Sequence, residues 1–388
     1  MSDQISTKRR KKGTGSITKK PNGTYLGRIS IAGYEPYSCT GTSKKEVEKA
    51  LEQFKIRTLK DEVVPQRQKL NSYIERWLEQ VKKPMLKPAS YDRLERTYLN
   101  QIKDSPVGRS QLGSLTSKDL QKLINHCSET YSYSTIKKVY TLLNDCFHYA
   151  VVVRDLNFNP MEGVVLPKEE NLSIQTKTVQ LMSLENLKKI EGAMDMTYAN
   201  GEVRYRYAPA YVLIANSGLR SGEALALTWD AVDFEARTIT VKQSAARVKN
   251  RLNDATGSKQ IITSVKTKSG LRVIPLNDTA YAALLRLREY QDKHHIRTQY
   301  VIATASGNMV VQNSFYRIFQ NMLRQLEIPP VTLHSLRHLF GSALIKQNVN
   351  IKVVSKLMGH ASTKITYDTY IHTDLSQAIE AVKKLEEL

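Results

Sequence analysis

The 388-residue sequence predicts a multidomain protein, mainly α with small β-sheets. Three observations predict this class. Apolar residues recur at helical spacing through much of the chain after residue 70. Short β-branched and aromatic runs bounded by turn residues occur near the N-terminus and again around Thr238–Pro275. The length calls for two or three domains at roughly 100–200 residues each. Hydrophobic residues make up 41% of the chain, enough for buried cores, which excludes disorder throughout.

Residues 1–60 read as a small α+β module behind a basic arm, Lys8, Arg9, Arg10, Lys11 and Lys12. A strand from Gly15 runs into Pro21-Asn22-Gly23, where Asn-Gly tolerates positive φ at both central turn positions. Thr24–Ile31 is a second strand, Gly33 a turn and Tyr37–Thr40 a third strand. Ser43 and Glu46 form a capping box before a helix with Val47, Ala50, Leu51 and Phe54 on one face. Residues 61–69 show no apolar periodicity and read as a linker.

Residues 70–165 read as a helical bundle of four or five helices. Its stripes are Tyr73, Ile74, Trp77 and Leu78, then Leu94, Tyr98 and Ile102. Thr116 to Asp119 starts a further helix with Leu120, Leu123 and Ile124. A long helix opening at Ser134 is expected to end at Asn159-Pro160, because proline disfavours helix at the preceding residue. Residues 166–177 are a charged connector. Residues 178–388 form a mixed α+β module: helices at Leu184–Met194, Tyr207–Asn216 and after Arg220, strands at Thr238–Val241, Ile261–Val265 and Val273–Pro275, then helices. Leu375, Ala378, Ile379, Val382 and Leu385 make a last apolar stripe.

Lys and Arg number 58 against 37 Asp and Glu, a net charge of +21, so a polyanion is the expected partner and nucleic acid the first candidate. Residues 1–60 alone hold 14 Lys and Arg against 5 Asp and Glu. Lys19, Lys20, Arg28, Lys137 and Lys138 join the arm as candidate DNA-binding residues. No run approaches the roughly 18 apolar residues of a membrane span, and no apolar signal core follows Met1; a cytoplasmic protein is expected. Cys39, Cys127 and Cys146 form no CxxC pair, which fits a reducing compartment. There is no phosphate-binding loop, HExxH, GxSxG or EF-hand pattern, so neither a cofactor nor a metal is expected.

The chemistry concentrates in the third module. Arg220 lies beside glycines at a helix start, where a guanidinium can grip a phosphate, and Glu223 one turn on can orient it. Lys266 and Lys268 sit on a turn between strand-like runs, from which a lysine can donate a proton. His334 and Arg337 share a helix face, with His338 beside them as a packing residue. Gly359 fits a helix C-cap before His360, a further candidate phosphate donor. Tyr370 has a hydroxyl that can act as a nucleophile, with Tyr367 as the alternative.

The order Arg220, Lys266, His334-x-x-Arg337, His360, Tyr370 strongly resembles the tyrosine recombinase, or integrase, family. The resemblance rests on Gly218-Leu-Arg220-Ser-Gly-Glu223, Lys266-Thr followed by Arg272-Val-Ile-Pro275-Leu, Leu333-His334-Ser-Leu-Arg337-His338 and Leu357-Met-Gly-His360 with Tyr370. The one departure is Met358, where the family's box often reads Leu-Gly-His. The helical module is similar to the family's core-binding domain, and the N-terminal unit to the arm-binding domain of integrases of temperate phages and conjugative transposons.

The resemblance implies that Tyr370 attacks a scissile phosphate to form a 3′-phosphotyrosine. Arg220, Arg337, His334 and His360 would stabilise the charged intermediate, and Lys266, preferred over Lys268, would protonate the leaving 5′-oxygen. It further implies double-stranded attachment sites of core and arm type, a homotetramer on DNA, and a directionality factor and host DNA-bending protein as accessory partners. The terminal stripe would dock on a neighbouring protomer, whereas its residues alone fit packing on its own domain equally well. Two alternatives stand beside this reading: a non-catalytic DNA-binding or architectural protein, and a chromosome-dimer resolvase with the same chemistry.

Overall fold

The computed structural model describes residues 15–31, 36–59, 68–172, 174, 181–251, 257–265 and 270–370. The basic arm Lys8–Lys12, both turn lysines Lys266 and Lys268, and the terminal stripe lie outside the described residues. The chain divides into two compact units, 1–177 and 178–388. Among the described residues, no helix is long and apolar enough to cross a membrane.

Among the described residues, the first unit contains two separate hydrophobic cores. The smaller belongs to an antiparallel sheet, β1 (Ser16–Lys19), β2 (Tyr25–Ile29) and β3 (Tyr37–Gly41), covered by helix α1 (Lys44–Leu59). Ile29, Val47 and Leu51 close it. The first turn corrects the sequence expectation. Of Asn22 and Gly23 only Gly23 has positive φ (83°), and its N–H donates to the Lys20 carbonyl. Asn22 instead uses its side-chain oxygen to accept from the Thr24 N–H and hydroxyl, so a three-residue connection replaces the two-residue one. At the start of α1, Ser43 accepts from the Glu46 N–H, and the Glu46 carboxylate reaches back one residue further than expected, to Thr42.

The larger core belongs to the helical bundle: α2 (Leu70–Trp77) and α3 (Lys83–Met85), α4 (Pro88–Thr97), α5 (Pro106–Arg109), α6 (Ser117–Thr130) and α7 (Tyr133–Val152). Wide π-turns follow α2, at Leu78–Lys82, and α4, at Tyr98–Ile102. The spacing of four between Leu94, Tyr98 and Ile102 drifts around an ordinary helix; a turn closed by i→i+5 bonds offsets the drift, and Tyr98 and Ile102 both stay buried. Thr116 and Asp119 satisfy each other's backbone N–H groups in a capping box. Helix α7 ends at Val152, well before Asn159-Pro160. Arg154 turns into positive φ (63°), and the N–H groups of Asp155 and Leu156 fold back on the Ala150 carbonyl, which stops the helix without proline. Lys137 and Lys138 are exposed on α7.

In the second unit the central element is α9 (Ala208–Ser217), almost entirely buried. Helices α8 (Leu184–Ala193), α11 (Asp278–Lys293) and α13 (Leu333–Lys346) pack around it. From α12 (Gln312–Gln325), Phe315 and Phe319 hold the Tyr211 ring at 4.7 Å each. After α9 come α10 (Ser221–Leu225) and two small sheets. One is β4 (Val232–Asp233), β5 (Thr238–Val241) and β8 (Arg272–Pro275), with β5 central; the other is a ribbon of β6 (Gln243–Lys249) and β7 (Ser258–Ser264). Strand β6 was not legible in the sequence. Gln-Ser-Ala-Ala carries little strand preference, and the strand exists because β7 pairs with it along its whole length. Helices α14 (Ile351–Met358) and α15 (Thr363–Tyr370) pack on α13.

Candidate active site

Two glycine turns bring the first and last motifs together. Gly218 ends α9 in the left-handed region (φ 65°), and a Cβ there would stand 2.5 Å from the Phe340 ring. The turn delivers Arg220 to the N-cap of α10. Gly359 ends α14 in the same conformation (φ 63°), and His360 N–H donates to the Ser355 carbonyl, a Schellman closure that fixes the backbone of His360.

Arg337 is 1% exposed. Its guanidinium donates to the Gly218 carbonyl at 2.6 Å and the Met358 carbonyl at 2.5 Å, tying the two turns together. The sequence expectation paired this guanidinium with His334 on one helix face, and it lies buried there beneath the two turns. Arg220 donates to Glu223 Oε1 at 2.8 Å and to the Gly359 carbonyl at 3.0 Å, while its backbone N–H donates to Glu223 Oε2 at 2.9 Å. Its side chain stays 40% exposed, so it presents an accessible positive surface. Glu223, by contrast, is 3% exposed. Burial alone would raise its carboxyl, but hydrogen bonds and charge from Arg272, then Arg220, hold it below the usual carboxylate range.

His334 lies in the first turn of α13 and is exposed. Its ring stands edge-on to that of His338 at 4.5 Å. Partial loss of water, then the neighbouring His338, Arg337 and Arg220, lowers its pKa to about 4. Desolvation, then Arg337, Arg220 and Arg272, lowers His360 to about 4 as well. Both imidazoles are therefore neutral at physiological pH and can donate or accept one proton each. His360 Nδ1 pairs with the Thr366 hydroxyl at 2.8 Å, which leaves Nε2 for another partner. Thr366 is buried in α15, one turn before Tyr370, the last residue of that helix.

The structure thus links Arg220 to Glu223, ties Arg220 and Arg337 to the turn that precedes His360, and packs α15 against α13 and α14. Two contributors escaped the sequence reading. Arg272 stands in the sequence as part of a motif, and the signal for its role is an arginine in phase with buried Ile274 on β8. Thr366 carried no signal short of its contact with His360. In the N-terminal unit, Lys19 and Arg28 are exposed on the sheet, with Lys20 at its turn.

Residues 181–377 match the phage integrase family, and the chain belongs to that family of tyrosine recombinases. It is similar to the tyrosine recombinase XerC-like protein of Caldanaerobacter subterraneus subsp. tengcongensis (28% identity, 82% of this chain, 83% of the relative). It is also similar to the integrase of Staphylococcus phage L54a (25% identity, 82% of this chain, 92% of the relative). Among solved structures, the fold matches the Tn1549 transposon integrase in complex with a circular intermediate DNA, with TM-score 0.66, 19% identity and coverage of 82% of this chain and 99% of that one. It also matches a lambda integrase dimer bound to a core site, with TM-score 0.56, 14% identity and coverage of 95% and 100%. The protein is an enzyme of DNA breakage and rejoining, and its partner is DNA.

Proposed function

We propose that this recombinase integrates and excises a mobile element, with Tyr370 as nucleophile and Arg220, His334, Arg337 and His360 as the phosphate-binding set. The observation that carries the reading is the direct linkage of both arginines to the turn before His360. The Tyr370 oxygen bonds to the scissile phosphorus, and its proton passes to a neutral imidazole. The bond from phosphorus to the 5′-oxygen breaks, and Lys266 supplies the proton to that oxygen. Guanidiniums and imidazole N–H groups take the charge that develops on the non-bridging oxygens. Attack by a partner strand's 5′-hydroxyl on the phosphotyrosine reverses the step, so the phosphoester bond is conserved and no nucleotide is consumed.

Arm-type sites would engage the N-terminal unit through Lys8–Lys12, Lys19, Lys20 and Arg28, and core-type sites the bundle through Lys137 and Lys138. Assembly on DNA would be tetrameric, with a directionality factor and a host bending protein as accessory partners, in the compartment that holds the DNA. A two-plasmid recombination assay tests the reading, using inserts from the sequences flanking the gene on each side. Joined junctions dependent on the protein are expected; binding without any junction would favour an architectural role.

A further inference from the structure

We propose that Arg272 is a positioning residue for strand cleavage, fixing the carboxylate that orients Arg220 and the turn that carries His360 in one relation. The inference rests on the catalytic reading above. The last three carbonyls of the α14 turn each accept from a different guanidinium: Leu357 from Arg272 at 2.7 Å, Met358 from Arg337 at 2.5 Å and Gly359 from Arg220 at 3.0 Å. These carbonyls form the negative end of α14, and the three cations offset it.

Arg272 differs from the other two in what else it holds. It grips both oxygens of Glu223, at 3.2 and 2.8 Å, and donates to the Gly270 carbonyl at 3.2 Å. Four of the five guanidinium N–H groups are thus used within the protein. A planar fork is required: an ammonium can neutralise Glu223 but cannot also span to the Leu357 carbonyl in the same geometry. Replacing a buried ion pair by apolar packing often leaves stability unchanged or improved, so this one gives little reason in fold stability alone for an arginine here.

The test uses full-length protein and nicked duplexes tiled across the DNA flanking the gene. The duplex giving most covalent adduct with the wild type is carried forward. Single-turnover cleavage at saturating DNA is then measured for Arg272→Lys and Arg272→Met, together with melting temperature and DNA affinity. The expected result is affinity close to wild type, with cleavage by the bound, folded fraction slowed about 10- to 100-fold, the scale of a small misplacement of reacting groups. Arg272→Lys decides the matter if Arg272→Met fails to fold. Wild-type cleavage by the bound fraction, with only the melting temperature lowered, would overturn the proposal by reducing Arg272 to a structural role. No adduct from the wild type on any duplex would overturn the catalytic reading, and this proposal with it.

Discussion

Arg337 Nη1 lies 2.6 Å from the carbonyl oxygen of Gly218, across 119 positions of sequence. The bond joins the turn after α9 to helix α13, and through the second Arg337 donor to the end of α14. Because Gly218 sits at positive φ against Phe340, Gly218→Ala should disturb both ends of this link. Backbone strain of this kind costs about 1–3 kcal/mol. Chemical denaturation should show that loss, and cleavage by the folded fraction should slow as well.

Glu223 is the acceptor for two arginines, so its removal leaves Arg272 charged and unpaired in the interior. Glu223→Ala should destabilise the protein by about 3–5 kcal/mol. Replacing both Glu223 and Arg272 with apolar residues should recover much of that stability without recovering cleavage. Equilibrium unfolding and adduct formation on the same preparations would separate the two effects.

The folded-state pKa values of His334 and His360 lie near 4, below the ordinary value of 6.5. Between those limits the unfolded chain binds more protons than the folded one, so stability should fall as pH drops from 6.5 towards 4. Without DNA, NMR titration should find both rings neutral at pH 6. Rings that protonate there would contradict the description of the site as cation-rich and partly dry.

Thr366 sets which nitrogen of His360 faces outward. Thr366→Val keeps the shape and deletes that bond. Losing a whole charge-stabilising donor costs about 10²–10³ in rate, and losing its orientation should cost a smaller part, about tenfold. The measurement is single-turnover cleavage, with DNA affinity unchanged.

Lys137 and Lys138 are exposed on α7 and proposed to face phosphates. Replacing both with alanine should reduce the slope of log affinity against log salt by about 2, roughly one per lost phosphate contact. The melting temperature should not move. An unchanged slope would place the core-site contact elsewhere.

The mixed composition of the fold was legible because period and punctuation agree: Val47 and Leu51 repeat at helical spacing, Thr116 and Asp119 cap, and Gly218 and Gly359 mark the two turns. What was not legible depended on distant partners. Strand β6 exists through β7, and the α7 terminus through a fold-back on Ala150. The candidate site divides in the same way. The resemblance of the residue order to the integrase family named Arg220, His334, Arg337, His360 and Tyr370 as candidates. It did not show that Arg337 is buried under two carbonyls or that Arg272 joins Glu223 to the Leu357 carbonyl, since both contacts arise from where α9, β8 and α14 meet.

The most direct test of the central claim is covalent capture on nicked flanking-sequence DNA. Wild-type protein should yield an adduct that survives denaturation and maps to a tyrosine phosphodiester at residue 370, and Tyr370→Phe should bind the same DNA and yield none. An adduct that persists in Tyr370→Phe would move the nucleophile to another residue, Tyr367 first, and contradict the account.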